Sequence, residues 1–512
     1  MPKEIEAQHI FVPALGIFLG VALVIIDSTL VNVALPVMAR ELHISDGAAT
    51  WFVQAYQIVL LTLLFPAIAL SPLVGCKRFF LCGIALFVAA SLGCALSRTP
   101  GSLCLFRILQ AVGGSAMLSV NIALVERVFK KGRLATGIGF NTATISISII
   151  IGPALGGFML THVSWPWLFA INLPLGLLAL LAAWKHVPGE QHTRLAREHL
   201  REFAVILGLS ILLFAGFLAS LGVFSWGLPW QILPGTLLLL LCGARLLVRQ
   251  QRVGSLVLFP EHVLLNKPFL FSLLVTIVCF MAQSGTVLAM PFAFMEGLGF
   301  DIQDTSLLLV AWPALHSVTS LASGKLGKLV RRGNRAVLGI VLGACGIVLF
   351  AFAPDASIRR LAAVVALCGL GYGLFRPQNS TAMLILASAG MLLCTAGILL
   401  LALAPAPSFW RMASIVALCG LGYGLFQAPN ETATLMFAEA FDRTRTSSLV
   451  SFCRTLGQTL GTMVTAGCLL KAPFNLELPF LLAALAGGMG VLLSLVRAVK
   501  YGNVLDKGAP EN

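Results

Sequence analysis

Apolar residues run in long unbroken stretches from one end of the chain to the other, and short segments between them hold most of the charges. Sixteen such stretches fall at about 11–34, 50–74, 79–96, 101–125, 136–161, 165–184, 203–224, 228–248, 269–294, 304–323, 336–353, 361–376, 387–404, 411–427, 447–470 and 478–497. A helix needs about 20 apolar residues, within a range of roughly 17–25, to cross the hydrocarbon of a bilayer. The stretches are continuous rather than alternating, which predicts helices and excludes a barrel. The pattern therefore predicts an all-α polytopic membrane protein with about sixteen hydrophobic spans.

Composition agrees. Of the 512 residues, 58% are hydrophobic and 11% charged, and the mean hydropathy is +0.96; a soluble domain carries roughly 25% charged residues. The N-terminal MPKEIEAQH is too short and too acidic for a cleaved signal, and the first span is too long for one, so that span is read as retained. The net charge of +14 raises the question of nucleic acid, but its distribution answers it. With the N-terminus in the cytoplasm, 26 of the 34 basic residues fall in cytoplasmic segments, Arg497 and Lys500 among them. This is the positive-inside pattern of a multi-pass protein, with both termini cytoplasmic, and it needs no nucleic acid. The twelve cysteines are scattered without a CxxC pair, and the eight histidines are dispersed. Neither predicts a metal site or a cofactor, and no nucleophile–base cluster points to an enzyme.

Three charges stand inside spans: Asp27 in VIIDSTLVNVALP, Arg107 in LFRILQAVGG and Arg454 in SFCRTLGQTLG. Each costs about 2.5–3.5 kcal/mol at the bilayer centre on insertion scales, so each needs a partner or water. Two readings stand: an internal pair that helps assembly, or the lining of a hydrated path, which is favoured for Asp27 and Arg107. Burial penalises the charged form of an acid, so a lone intramembrane carboxylate can exchange a proton, and an organic cation can take the proton's place. His316 is a further titratable residue within a span; a lone histidine is more often a hydrogen-bonded helix contact.

Several stretches together resemble the major facilitator superfamily, and most closely its fourteen-span drug:proton antiporter branch. IDSTLVNVALP (Ile26 to Pro36) is similar to the branch's first-span aspartate motif, and WFVQAYQ (Trp51 to Gln57) to its second-span aromatic pattern. LCLFRILQAVGGSA, with Arg107 and Gln110, resembles the fourth-span motif whose arginine is linked to proton coupling; Ala111 stands where glycine is usual. SIIIGPALGG resembles the antiporter motif of the fifth span, carried by Gly152, Pro153, Gly156 and Gly157, with Ser148 in place of its leading glycine. SWPWLFAINLPLG (Trp165 to Gly176) matches the start of the sixth span. The segment LSPLVGCKRFF keeps Gly75, Lys77 and Arg78 of the family's cytoplasmic gate, but Pro72 replaces its acid; SGKLGKLVRRGNR supplies Arg331 and Arg332 as the second-half counterpart.

The resemblance implies two six-helix bundles, at 1–184 and 268–512, joined by a linker at 185–267 that holds two extra spans. It implies a binding site between bundles and access that alternates by rocking. It also implies proton-coupled efflux of amphipathic, cationic compounds at the inner membrane, with small molecules, protons and lipid as partners. Transport of one specific metabolite, and a transport-inactive scaffold or sensor, are the competing readings. One feature departs from the family. VALCGLGYGLF occurs at Val365–Phe375 and again at Val416–Phe426, within a duplicated helix pair at about 342–378 and 393–429. One copy has a place in the bundle core. The second is expected there, because it runs into the charged segment Glu431–Arg445, read as a loop, and on to Arg454.

Overall fold

Helix ends in this chain are set by short polar signals between apolar runs. Thr99 caps one helix by accepting from the Ser102 amide at 3.3 Å, with Pro100 at the first helical position. Asn266 caps another by accepting from the Phe269 amide at 3.0 Å, and its amide group donates to the Phe437 carbonyl at 2.8 Å. Capping supplies acceptors for amides that have no partner within the helix. The computed structural model describes residues 2–129, 134–188, 208, 266–325, 380–403, 408–437, 443–471 and 477–506. All regular structure among them is helical. Twelve of the sixteen predicted spans fall on these helices. Those at 203–224, 228–248, 336–353 and 361–376 lie outside the described residues, and with them the linker spans and the first repeat copy.

The chain divides into two compact units, Met1–Leu258 and Phe259–Asn512. The first contains α1 (Pro2–Glu41), the short α2 (Asp46–Ala49), α3 (Trp51–Val74), α4 (Cys76–Leu96), α5 (Pro100–Val128), α6 (Leu134–His162), the short α7 (Pro166–Ala170) and α8 (Asn172–His186). Helix α5 packs on α3 and α4, while α1 packs on α6 and α8. The core between them is aliphatic and aromatic, with Ile17, Leu23, Phe80, Phe87, Met117 and Leu124 fully buried. The expected loop between spans two and three is a single residue. Gly75, at φ 92°, ends α3 and starts α4, a backbone conformation open to glycine because it has no Cβ.

The second unit contains α9 (Lys267–Phe292), which ends in a π-helical turn at Ala293–Gly297, then α10 (Ile302–Lys325), α11 (Ser380–Leu403), α12 (Phe409–Phe437), α13 (Arg443–Lys471) and α14 (Glu477–Asp506). Here α9 packs on α13 and α14, α11 on α12 and α14, and α10 on α12. The second repeat copy thus forms α11 and α12, inside the unit. Its glycines explain the contact. Gly422 faces the Gly390 carbonyl oxygen of α11, where an added Cβ would lie 2.7 Å away, and Gly420 lies against the backbone of Trp312 in α10. GLGYGLF is a two-sided packing surface, as small residues in membrane helices permit. One expectation is corrected: Glu431 is not in a loop, because α12 continues through Pro429 to Phe437.

Outward faces are apolar. Phe140, Ile147, Ile151 and Phe158 stand exposed along α6, and Leu485, Met489, Leu492, Val496 and Val499 along α14. The spacing of three, four or seven puts each set on one helical stripe. Stripes of that size are stable against lipid rather than water. Among the described residues, nine helices are long and apolar enough to cross a membrane. The protein is a multi-pass membrane protein.

Candidate functional site

In the first unit the predicted coupling residues meet. Arg107 and Gln110, three apart on α5, share one face and point at Asp27 on α1. The Arg107 guanidinium donates through Nη1 to Asp27 Oδ2 at 2.5 Å and to Gln110 Oε1 at 2.6 Å, and through Nε to the Phe52 carbonyl at 3.0 Å. Gln110 Nε2 donates to Asp27 Oδ1 at 2.9 Å and to Ser91 Oγ at 2.8 Å. Asn172 Nδ2, on α8, donates to the same Asp27 Oδ1 at 2.7 Å. The guanidinium carbon sits 4.2 Å from the centre of the Tyr56 ring, a cation–π contact, and Nη2 has no hydrogen-bond partner among the described residues. The network therefore ties together α1, α3, α4, α5 and α8.

Every member is buried; Asp27 is 1% exposed and Arg107 not at all. In this conformation the two charges lie against each other rather than along an open path, and anything that reaches Asp27 must first part them. Breaking a buried pair by removing one partner costs about 3–5 kcal/mol, because the other charge stays behind. Sequence reasoning misses Asn172, Ser91 and Tyr56. A signal for Asn172 exists: it is an amide inside the apolar SWPWLFAINLPLG.

The glycines of the fifth-span motif flank this network. A Cβ on Gly152 would collide with Thr29 and lie 3.3 Å from the Ile26 carbonyl, and one on Gly156 would lie 3.3 Å from the Leu30 carbonyl. Gly157 is buried beside them, and Pro153 lies within α6, where it removes a backbone donor. These residues hold α6 against the stretch of α1 that carries Asp27. Of the predicted cytoplasmic gate, Gly75 forms the α3–α4 junction. Lys77 is half-buried and Arg78 exposed in the first turn of α4, a turn without an acidic residue. Pro72 lies in the last turn of α3. Arg331 and Arg332 lie outside the described residues.

The second unit holds two further polar clusters. Arg454 on α13 pairs with Glu431 on α12 at 3.3 Å, and both side chains are about one-third exposed, 36% and 33%. Arg454, read as a charge within a span, is therefore not sealed in. Gln427 links Glu431 to His316 of α10 by hydrogen bonds. Arg497, read as a cytoplasmic residue at the end of the last span, is instead fully buried. It donates to Asn430 Oδ1 at 2.7 Å, and Asn430 donates to Thr276 Oγ1 at 3.1 Å. No group of His, Cys, Asp and Glu that could hold a metal ion occurs among the described residues.

A bundle of membrane helices whose chemistry lies in ion pairs and amide networks across its spans has the make-up of a transport protein. The chain belongs to the Major Facilitator Superfamily, which it matches over residues 17–389, and it is a membrane transporter of that type. The "Uncharacterized transporter YebQ" of Escherichia coli (strain K12) is 30% identical over 387 residues, covering 74% of this chain and 84% of the relative. The "Multidrug transporter protein MdtP" of Bacillus subtilis (strain 168) is 26% identical, covering 74% and 69%. Among solved structures, a POT family transporter in complex with a thioalcohol-conjugated peptide has the same fold, with a TM-score of 0.65 at 13% identity over 97% of this chain and 96% of that one.

Proposed function

We propose that this transporter exports amphipathic, cationic small molecules across the inner membrane in exchange for protons. Asp27 is the proton-coupling acid, and Arg107 and Gln110 register its charge. The observation that supports this reading is the set of contacts at Asp27: a lone acid, deep in a membrane bundle, held by an arginine and two amides from other helices. A proton at Asp27 competes with Arg107 for the carboxylate. Its arrival loosens α1 from α5 and α8, and the close seam at Gly152 and Gly156 passes any shift of α1 to α6. Gly75, Lys77 and Arg78, with Arg331 and Arg332, complete the cytoplasmic gate in this scheme. The membrane potential contributes about 2.3 kcal/mol per proton per 100 mV. Kinship with a transporter named for multidrug transport agrees with the substrate class.

The test is purified protein in liposomes loaded with a pH-sensitive dye. Addition of an organic cation such as ethidium is expected to drive proton movement that stops when the protein is left out. No proton flux with any cation or metabolite, at any imposed gradient, would make the chain a scaffold or sensor. Saturable flux with one metabolite and none with a broad cation panel would make it a dedicated metabolite carrier.

Both termini are cytoplasmic in this reading, supported by the bias of 26 basic residues toward one side. Reporter fusions check it: a reporter active only in the cytoplasm is expected to work at either end. Activity of an export-dependent reporter at either terminus reverses the orientation.

A further inference from the structure

Among the described residues, Asp27 and Glu431 each meet an arginine within a helix bundle, and they are held in opposite ways. Asp27 is 1% exposed and accepts three hydrogen bonds of 2.5, 2.7 and 2.9 Å from three different side chains. Glu431 is about one-third exposed, and its contacts are longer: Arg454 Nη1 at 3.3 Å and Gln427 Nε2 at 3.1 Å, both to the same oxygen, Oε1. A charge-assisted hydrogen bond in good geometry measures about 2.7–2.9 Å, so the Glu431–Arg454 pair is loose where the Asp27–Arg107 pair is tight. Arg454 lies eleven residues into α13, roughly 16 Å from its start at 1.5 Å per residue. A charge at such a position within a span faces protein or a water-filled cavity rather than lipid.

An aromatic cluster reaches the Glu431–Arg454 pair through Phe280, which lies near Arg454. The Tyr423 ring, two turns back on α12, stands edge-on to Phe280 of α9 at 5.5 Å, 6.3 Å from Trp312 and 5.5 Å from His316 of α10. Phe280 in turn lies 6.0 Å from the Arg454 guanidinium. Two polar atoms in this wall, the Tyr423 hydroxyl and Trp312 Nε1, are buried with no hydrogen-bond partner among the described residues. Buried polar groups without partners are uncommon and need an explanation, and here the two belong to neighbouring rings, 6.3 Å apart. Ring faces and a carboxylate together recognise an organic cation, through cation–π attraction and direct charge.

We propose that Phe280, Trp312, Tyr423 and Glu431 form an organic-cation site within the second unit, and that Arg454 is its resident counter-ion. The cation takes Glu431 from Arg454, and the rings, at most 3% exposed in this conformation, must part to receive its apolar body. Asp27 then does not bind cargo; its closed network is left for protons. This rests on the reading of the chain as an exporter of cationic small molecules, but binding can be measured without any transport.

The experiment is equilibrium binding of tetraphenylphosphonium to purified protein in detergent. Glu431→Gln is expected to weaken binding about tenfold, less than the loss of one partner of a fully buried charge pair because this one is partly exposed. Glu431→Asp retains most of the affinity, which separates lost charge from lost fold. Arg454→Gln removes the competing cation and raises the affinity, the opposite sign to Glu431→Gln. Trp312→Leu weakens binding, while Gly101→Ala, in the first unit with nothing within 4 Å of an added Cβ, leaves it within about twofold, a change worth only a few tenths of a kcal/mol. Unchanged binding in Glu431→Gln, weaker binding in Arg454→Gln, or a wild-type protein that binds no tetraphenylphosphonium each overturns the proposal. Wild-type protein with the expected pattern but no proton flux in liposomes upholds this site and overturns the coupling reading instead.

Discussion

Asp27→Asn is expected to abolish proton-driven efflux and to lower the unfolding midpoint of the purified protein, whereas Asp27→Asn combined with Arg107→Gln regains stability without regaining transport. The single substitution leaves the Arg107 guanidinium fully buried with no opposing charge. Removing one partner of such a pair costs about 3–5 kcal/mol, while replacing both is close to neutral. The substituted amide still offers one oxygen to Arg107 or Asn172, which places this variant toward the lower end. The double variant removes the stranded charge, so its destabilisation falls well short of the sum of the two singles. That non-additivity is the signature of direct interaction. Unfolding curves in detergent and dye efflux from energised vesicles check the two halves separately. Full efflux in Asp27→Asn ends the coupling role of this acid. A double variant as unstable as the two singles combined shows that the pair does not act as a unit.

The second large effect is expected from a residue that carries no chemistry. A Cβ on Gly113 of α5 would lie 2.7 Å from the Gly83 carbonyl oxygen and 2.8 Å from the Phe87 amide nitrogen, both backbone atoms of α4. Nothing there can rotate aside, so α4 and α5 must part. Overpacking of this kind costs about 1–3 kcal/mol even for a methyl group, and Gly113→Leu is expected to leave little monodisperse protein. Gly101→Ala and Gly488→Ala are the controls, because nothing lies within 4 Å of an added Cβ at either position. These changes are expected to stay within about 0.5 kcal/mol of the parent. Size-exclusion profiles and unfolding midpoints decide the matter. A wild-type profile for Gly113→Leu would show that the α4–α5 seam yields more easily than its backbone contacts imply.

The spans are legible because lipid imposes one strong rule on a chain: long apolar runs, polar breaks. That rule locates twelve described spans but fails where polarity turns inward. Pro429, Asn430 and Glu431 look like a helix end, which puts Glu431 in a loop. In the structure α12 runs on, because Asn430 satisfies Arg497 and Thr276, and Glu431 meets Gln427 and Arg454. Arg497 stands at the end of an apolar run, where a long basic side chain normally reaches for the headgroups; Asn430 draws it inward instead. Asp27, Arg107 and Gln110 stand out because charge in a span is rare and because their motifs resemble a known family. Ser91 cannot be found that way. Serines in helices usually bond their own backbone, and Ser91 does so with the Phe87 carbonyl at 2.7 Å while also accepting from Gln110. A neutral side chain in both roles leaves no mark on a hydropathy plot.

The three hydrogen bonds at Asp27 all run in one direction. Arg107, Gln110 and Asn172 are each present as donors there, and an ionised carboxylate can only accept. Once protonated, the same group carries a hydrogen of its own and has no acceptor among these three contacts to give it to. A hydrogen on the site left open at Oδ2, which accepts only from Arg107, stays unshared unless an amide turns its oxygen toward it. In the proposed coupling cycle, that unshared hydrogen is what the resting network must rearrange to accommodate.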